Sequence, residues 1–198
     1  MLLGDKLAHY PRLVVELGMG DGRLIEILAK KDPRALYLGI EIDSAQFRLA
    51  KSRISTDNVE LLEGSFEHLV PALPDGCVDF FLSVLPDPAF IDPSKHDSWK
   101  KFYSNLYAKL KPGGTFQLVT ELTDELLQPV GDSSYQEWTM WLERTFASLG
   151  FSIAGMAGGA PAEYRSRCLD QFRGDPERIK IVTIDFRKSQ SETVKPAL

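Results

Sequence analysis

Val14-Val15-Glu16-Leu17-Gly18-Met19-Gly20-Asp21-Gly22-Arg23 runs from an apolar strand through three glycines spaced two apart into the start of a helix. Glycines at 18, 20 and 22 let the chain turn sharply and bring its backbone against a ligand, where a Cβ would obstruct the turn or the approach. A nicotinamide dinucleotide fingerprint wants its third glycine at position 23, which is Arg23 here, and seats a pyrophosphate at the helix N-terminus. Two carboxylates, Glu16 and Asp21, stand where that pyrophosphate would go. Acids repel phosphate and suit a ligand bearing an ammonium and a sulfonium, which is what the methionine end of S-adenosylmethionine presents. Gly18, Gly20, Gly22 and Glu16 are therefore expected to bind that cofactor.

Working outward, Leu36-Tyr37-Leu38-Gly39-Ile40-Glu41 is a second apolar strand, and Glu41 ends it about twenty residues beyond the loop. An acid at that distance can accept both ribose hydroxyls of an adenosine. The plain alternative is an ordinary strand-to-helix turn followed by an exposed strand-end acid. The joint presence of loop, charge and ribose acid favours the cofactor.

With 198 residues, 43% hydrophobic and 26% charged, the chain can bury a substantial core without disulfides or metals, and one domain over 1–198 is expected. Cys77 and Cys168 lack zinc spacing, so no metal is expected. The start, Met1-Leu2-Leu3-Gly4-Asp5-Lys6, has neither a basic n-region nor an apolar h-region, which points to the cytoplasm. The longest apolar run, Val78 to Leu85, has strand length, so no membrane insertion is expected.

Strand and helix signals alternate as in an α/β, doubly wound, Rossmann-like sheet, mostly parallel with a C-terminal antiparallel strand. Ser44 is expected to cap a helix through Arg53 with Phe47, Leu49, Ala50 and Ile54 on its apolar side, followed by a strand over Asn58 to Glu63. Val78 to Leu85 shows almost no polar alternation and reads as a fully buried fourth strand. A helix over Ser98 to Leu110 stops at Lys111-Pro112-Gly113-Gly114, and Thr115 to Thr120 is strand five. Tyr135 to Leu149 is an amphipathic helix; Phe151 to Ala154 begins a strand and Ile179 to Phe186 supplies the last. Residues 189–198 read as a flexible tail.

Ligands in such sheets lie at the carboxyl ends of the strands, near the switch in strand order. Gly64-Ser65-Phe66-Glu67 follows strand three, where Ser65 is expected to hydrogen-bond the adenine and Phe66 to pack on it; a turn serine and a core phenylalanine are the alternative. Leu85-Pro86-Asp87-Pro88 follows strand four, and Asp87, its backbone restricted by two prolines, is the candidate catalytic residue at the junction of cofactor and acceptor.

Glu16-Leu17-Gly18-Met19-Gly20-Asp21-Gly22, Gly39-Ile40-Glu41-Ile42, Pro86-Asp87-Pro88 and Leu110-Lys111-Pro112-Gly113-Gly114 together make the chain resemble the bacterial tRNA (guanine-N7)-methyltransferases, a class I S-adenosylmethionine-dependent family. Pro161-Ala162-Glu163-Tyr164-Arg165 is similar to a degenerate copy of that family's C-terminal Thr-x-Tyr-Glu element, and Thr120-Glu121 stands where the family has Thr-Asp after strand five. The resemblance implies that Glu16 and Glu41 are cofactor acids, that Asp87 is the acceptor-side acid, and that Glu121 and Tyr164 meet the substrate. Family members usually carry a tryptophan and then a lysine after the Pro-Asp-Pro element; here the chain reads Ala89-Phe90-Ile91. The methyltransferases that modify adenine in the ribosomal decoding site share the Leu-Gly-x-Gly-Asp-Gly-Arg loop but not Pro-Asp-Pro.

A net charge of -5 gives no bulk attraction to nucleic acid, so RNA binding needs a local patch. Lys95, Lys100, Lys101, Lys109 and Lys111 stand against Asp97 alone between residues 95 and 111, and Arg165, Arg167 and Arg173 lie in the segment that should return to the same rim. Lys95, His96, Lys100, Lys101, Arg165 and Arg167 are the candidate substrate contacts; a solvated helix face and a charged loop are the alternative. Two classes of function remain at this point: methylation of an RNA purine, in tRNA or ribosomal RNA, and a small-molecule methyltransferase or non-catalytic cofactor-binding domain.

Overall fold

A computed structural model describes Lys6, residues 9–124, Leu126 and residues 128–190. Residues 1–5 of the N-terminal stretch and 191–198 of the expected tail lie outside the described residues. Seven strands form one sheet in the order β3-β2-β1-β4-β5-β7-β6. The strands are β1 (Arg12–Leu17), β2 (Ala35–Glu41), β3 (Val59–Glu63), β4 (Val78–Val84), β5 (Leu110–Thr123), β6 (Phe151–Gly158) and β7 (Ile179–Lys188). Neighbours among β1 to β5 are parallel, while β7 runs antiparallel between β5 and β6, as expected for a C-terminal antiparallel strand. The chain winds outward from β1 in one direction and from β4 in the other, which opens a crevice beyond the carboxyl ends of those two central strands.

Helices cover both faces because the strands are apolar on both. All seven residues of β2 are buried, which is why Ala-Leu-Tyr-Leu-Gly-Ile-Glu shows no alternation. On one face α4 (His96–Lys109) and α5 (Asp132–Ser148) pack Trp99, Tyr103 and Phe146 over Val15, Leu38, Phe81, Phe116 and Ile184. Phe146 stacks on Phe186 with ring centroids 4.2 Å apart, and each such fully buried side chain contributes about 1.5–3 kcal/mol. On the other face α1 (Arg23–Lys31) packs Ile25 and Ala29 on Val14 and Tyr37. Leu24 of α1 joins Tyr164 and, from α6 (Arg167–Arg173), Leu169 over Leu82 and Val119. Among the described residues no helix is long and apolar enough to cross a membrane.

Several local expectations are corrected. Asp43, not Ser44, caps α2 (Ser44–Arg53): its carboxylate accepts from the amides of Ala45 and Gln46, and a carboxylate at a helix N-terminus gains from the dipole as well. Ser44 hydrogen-bonds Glu63 instead. Leu49 is exposed rather than packed. β4 ends at Val84, and Asp79 and Phe80 within it are only half-buried. The turn Lys111-Pro112-Gly113-Gly114 lies inside β5, where the register with β4 shifts between Val78 and Phe80; helix α4 has already stopped at Lys109. Neither α6 nor the single turn α3 (Phe66–Leu69) was expected, since both are too short for apolar periodicity to mark them.

Candidate active site

The glycine loop is tied to the end of β2. Gly18 and Met19 both donate their amides to the Ile40 carbonyl, at 2.9 and 3.0 Å, and the Gly22 amide closes the turn on Met19 O at 3.1 Å. Gly18, Gly20 and Gly22 all have positive φ. They differ in what surrounds them: a Cβ at Gly18 or Gly20 would meet nothing within 4 Å, whereas one at Gly22 would lie 2.7 Å from Ile54 Cδ1 and 2.9 Å from Ala50 Cβ. The first two thus leave open space for a ligand, and Gly22 lets α1 close on α2.

Above the loop is a cavity of about 420 Å³ whose wall includes Glu16, Gly18, Gly20, Gln46, Leu85 and Tyr164. Glu16, next to last in β1, is 4% exposed and its Oε2 meets no hydrogen-bond donor. Burial, then the charges of Glu41 and Asp21, push its carboxyl up to about 8, with the Ile25 amide pulling slightly the other way. Glu41 is otherwise engaged: its Oε2 accepts from the Gly20 amide and its Oε1 from the Asp43 amide, each at 2.8 Å. The acid expected on the ribose therefore also splints the loop. Asp21, read from the sequence as a second acid for the ligand, is instead held by Arg53 at 2.7 Å and Arg23 at 3.0 Å. Partial burial opposes its ionisation, but the Arg53 hydrogen bond, the Arg23 amide and both guanidinium charges outweigh it and keep the carboxyl below its usual range. Glu16 is left as the cavity acid with an unused acceptor.

The far wall is Tyr164 to Leu169, where the sequence expected Tyr164, Arg165 and Arg167, although it gave no sign of what holds them there. Arg173 fixes it by donating to three carbonyls, those of Tyr164 at 2.7 Å, Ala160 at 3.1 Å and Pro161 at 2.5 Å. The Tyr164 hydroxyl donates to Gln117 Oε1 at 2.5 Å, and Gln117 donates to Asp185 Oδ1 at 2.8 Å. This clamp carries Arg165, Ser166, Arg167, Cys168 and Leu169 to the cavity. Leu85, the residue before Pro86, has φ 51 although it is not glycine, and its amide donates to Val119 O at 2.8 Å. Such left-handed backbone costs on the order of 1–3 kcal/mol and gathers at functional sites.

The structure brings Glu16, Gly18, Gly20, Tyr164, Arg165 and Arg167 together at one cavity. Other predicted site residues stand apart from its wall. Ser65 caps α3 through the Glu67 amide, and Phe66 packs in a cluster with Phe90 and Phe102 at 4.9 and 5.0 Å. The exposed Asp87 carboxylate accepts from the Ala89 amide at 2.8 Å. Lys100 and Lys101 are exposed on α4; Lys95 just before it pairs with Asp92, and His96 rests against Trp99. Glu121 has a buried Oε2 without a donor, and burial pushes its carboxyl up to about 7. Gln46 and Leu49, which sequence reading missed, line the cavity three residues apart on α2; that helical spacing directly after Glu41 was the available signal. Removing the splint by Glu41→Ala should weaken S-adenosylmethionine by about 1–3 kcal/mol, measured by calorimetry, through loss of a charged hydrogen-bond acceptor.

Residues 14–114, just over half the chain, match the family described as "Methyltransferase domain". A tRNA (guanine-N(7)-)-methyltransferase of Caulobacter vibrioides is 28% identical over 162 residues, 77% of this chain and 65% of that protein. One from Enterococcus faecalis is 28% identical over 179 residues, 87% of this chain and 79% of its own length. The chain thus spans slightly less than two thirds of the Caulobacter relative. The solved structure of the 16S rRNA methyltransferase KamB superposes with a TM-score of 0.73 at 17% identity, covering 94% of this chain and 92% of that one, which shows a shared fold.

Proposed function

The chain belongs to the methyltransferase domain family, and on that premise we propose that it is an S-adenosylmethionine-dependent enzyme that methylates a purine of RNA, with guanine N7 of tRNA as the favoured acceptor. The observation that carries the cofactor is the unpartnered, buried Glu16 Oε2 beside open space over Gly18 and Gly20. An orphaned acid under a cleared backbone fits a ligand with a cationic amino-acid end. Glu16 would take the ammonium, the Gly18 to Gly20 backbone would lie along the methionine chain, and Glu41 would meet the ribose while holding the loop. When bound, S-adenosylmethionine supplies an electrophilic methyl group on a sulfonium.

Guanine N7 offers a lone pair that needs no deprotonation, so the chain has to supply orientation and a negative charge rather than a strong base. Asp87 suits that task. Its backbone is restricted between Pro86 and Pro88 and its carboxylate is pinned by the Ala89 amide, so its charge is preorganised beside the carboxyl end of β4. The tRNA enzymes among the relatives support this acceptor, and action on tRNA would fit a cytoplasmic protein. Exposed Lys95, Lys100 and Lys101 with Arg165 and Arg167 would form the rim that receives RNA phosphates in an otherwise acidic chain.

Transfer of labelled methyl groups to a total RNA extract, set against a small-metabolite extract, tests the reading. Label entering RNA, released as 7-methylguanine after digestion, is the expected result; label entering metabolites alone would overturn it in favour of a small-molecule methyltransferase. Asp87→Asn should keep cofactor affinity while lowering single-turnover methylation about 10- to 1,000-fold, the range for losing one transition-state charge contact. An unchanged single-turnover rate would remove Asp87 from the chemistry.

A further inference from the structure

Resting on the methyl-donor reading, we propose that Glu16 exchanges a proton for the ligand: it holds a neutral carboxyl in the free protein and becomes the carboxylate that pairs with the ligand's ammonium, so each binding event releases one proton to solvent. Glu16 lies almost wholly out of water, and its Oε2 meets no donor. Beyond one Ile25 amide from α1, which favours the carboxylate only slightly, the groups facing it cannot compensate a charge there. From β2, Glu41 is an acid whose two oxygens are committed to backbone amides; from the loop, Asp21 is an acid committed to Arg23 and Arg53. Across the cavity the Tyr164 hydroxyl is spent on Gln117. The remaining cations on the cavity wall, Arg23, Arg165 and Arg167, are exposed, and Arg165 is paired with Asp170.

An ionised Glu16 in the free protein would therefore be a desolvated charge beside two other acids, a costly state that protonation avoids. The upward shift of its carboxyl agrees with this geometry. A ligand ammonium supplies the missing partner. The neutral carboxyl and the charged ammonium become an ion pair, and the carboxyl proton leaves to bulk water, so charge and protons balance. A ligand without that ammonium gives Glu16 no reason to ionise.

Calorimetric titration near pH 6.5, in buffers of different ionisation enthalpy, counts the protons directly. That pH lies below the usual α-amino range of about 7.7–8.0, so the ligand amine is already charged and the proton counted comes from the protein. S-adenosylmethionine and S-adenosylhomocysteine should each release close to one proton, and methylthioadenosine, which lacks the amino-acid end, close to none. Glu16→Gln should abolish the release while Glu121→Gln, which removes the other raised carboxyl, retains it. Equal heats in all buffers for the wild-type protein, or equal release with methylthioadenosine, would overturn the proposal while leaving the methyl-donor reading intact. If the wild-type protein binds none of the three ligands, the methyl-donor reading itself fails and takes the proposal with it. The ligand comparison decides the matter even if Glu16→Gln does not fold.

Discussion

Glu16→Gln should weaken S-adenosylmethionine about 10- to 100-fold, since it removes the charged partner of the ligand's ammonium, and should at the same time make the ligand-free protein more stable at alkaline pH. The second effect follows from linkage. Glu16 titrates near 8 when folded and near its ordinary 4.5 when unfolded. Between those values the native state keeps a proton that the unfolded chain has lost, so stability falls as pH rises from about 4.5 and the full cost is present above about 8. The cost is on the order of several kcal/mol. Gln carries no charge at any pH, so denaturant melts should find the variant close to wild type at pH 4.5 and clearly more stable at pH 8.5. A variant equally stable at both pH values, or one that binds the cofactor as tightly as wild type, would remove Glu16 from its assigned place. The site thus accepts a stability cost for an acid that only its ligand satisfies, which is the usual direction of the trade between function and stability.

Two glycines of the same loop should fail in different ways when given a methyl group. Gly22→Ala drives a Cβ to 2.7 Å from Ile54 and 2.9 Å from Ala50, at a positive φ as well. Ile54 Cδ1 is a side-chain end that can turn away, but Ala50 Cβ is fixed to the α2 backbone, whose Cα lies at 3.3 Å, so α1 and α2 must part. The expected cost is about 2–4 kcal/mol from overpacking and backbone strain together, which lowers Tm by about 4–16 °C in a chain of this size. Gly20→Ala meets nothing within 4 Å, so its cost is confined to the positive φ, about 1 kcal/mol. Its methyl group instead projects into space the ligand would use. Thermal melts paired with calorimetry separate the two: a large Tm loss for Gly22→Ala, and for Gly20→Ala a small Tm loss with weakened binding. If Gly20→Ala bound S-adenosylmethionine normally, the loop would not be lying against the ligand.

Much of this architecture was legible in the chain because its signals are local. Glycine is the residue that turns most readily at positive φ, as at 18, 20 and 22, and an unbroken apolar run such as residues 35 to 40 fits a strand buried on both faces. The family resemblance carried by Gly39-Ile40-Glu41 and Pro86-Asp87-Pro88 agrees with the comparisons, which match residues 14–114 to a methyltransferase domain and find tRNA (guanine-N(7)-)-methyltransferases among the relatives. The cap of α2 was misread by one residue because Asp43 and Ser44 are both good caps, and only the backbone conformation of Asp43 chooses between them.

The α/β winding, the position of the ligand loop and the acids beneath it could be read from the chain, since each depends on residues within about ten positions of one another. The sequence did not determine which acid is free. Glu16, Asp21 and Glu41 look alike in the chain; Arg53, reaching across from α2, and the amides of Gly20 and Asp43 occupy two of them and leave the third. Nor could it show what holds the segment 159–173, whose Tyr164, Arg165 and Arg167 it expected at the rim: the Arg173 guanidinium and the Tyr164 to Gln117 hydrogen bond fix it. Apart from the Asp43 amide, two residues from Glu41, those contacts join residues 9 to 47 positions apart, and only the folded chain decides which donor reaches which acceptor.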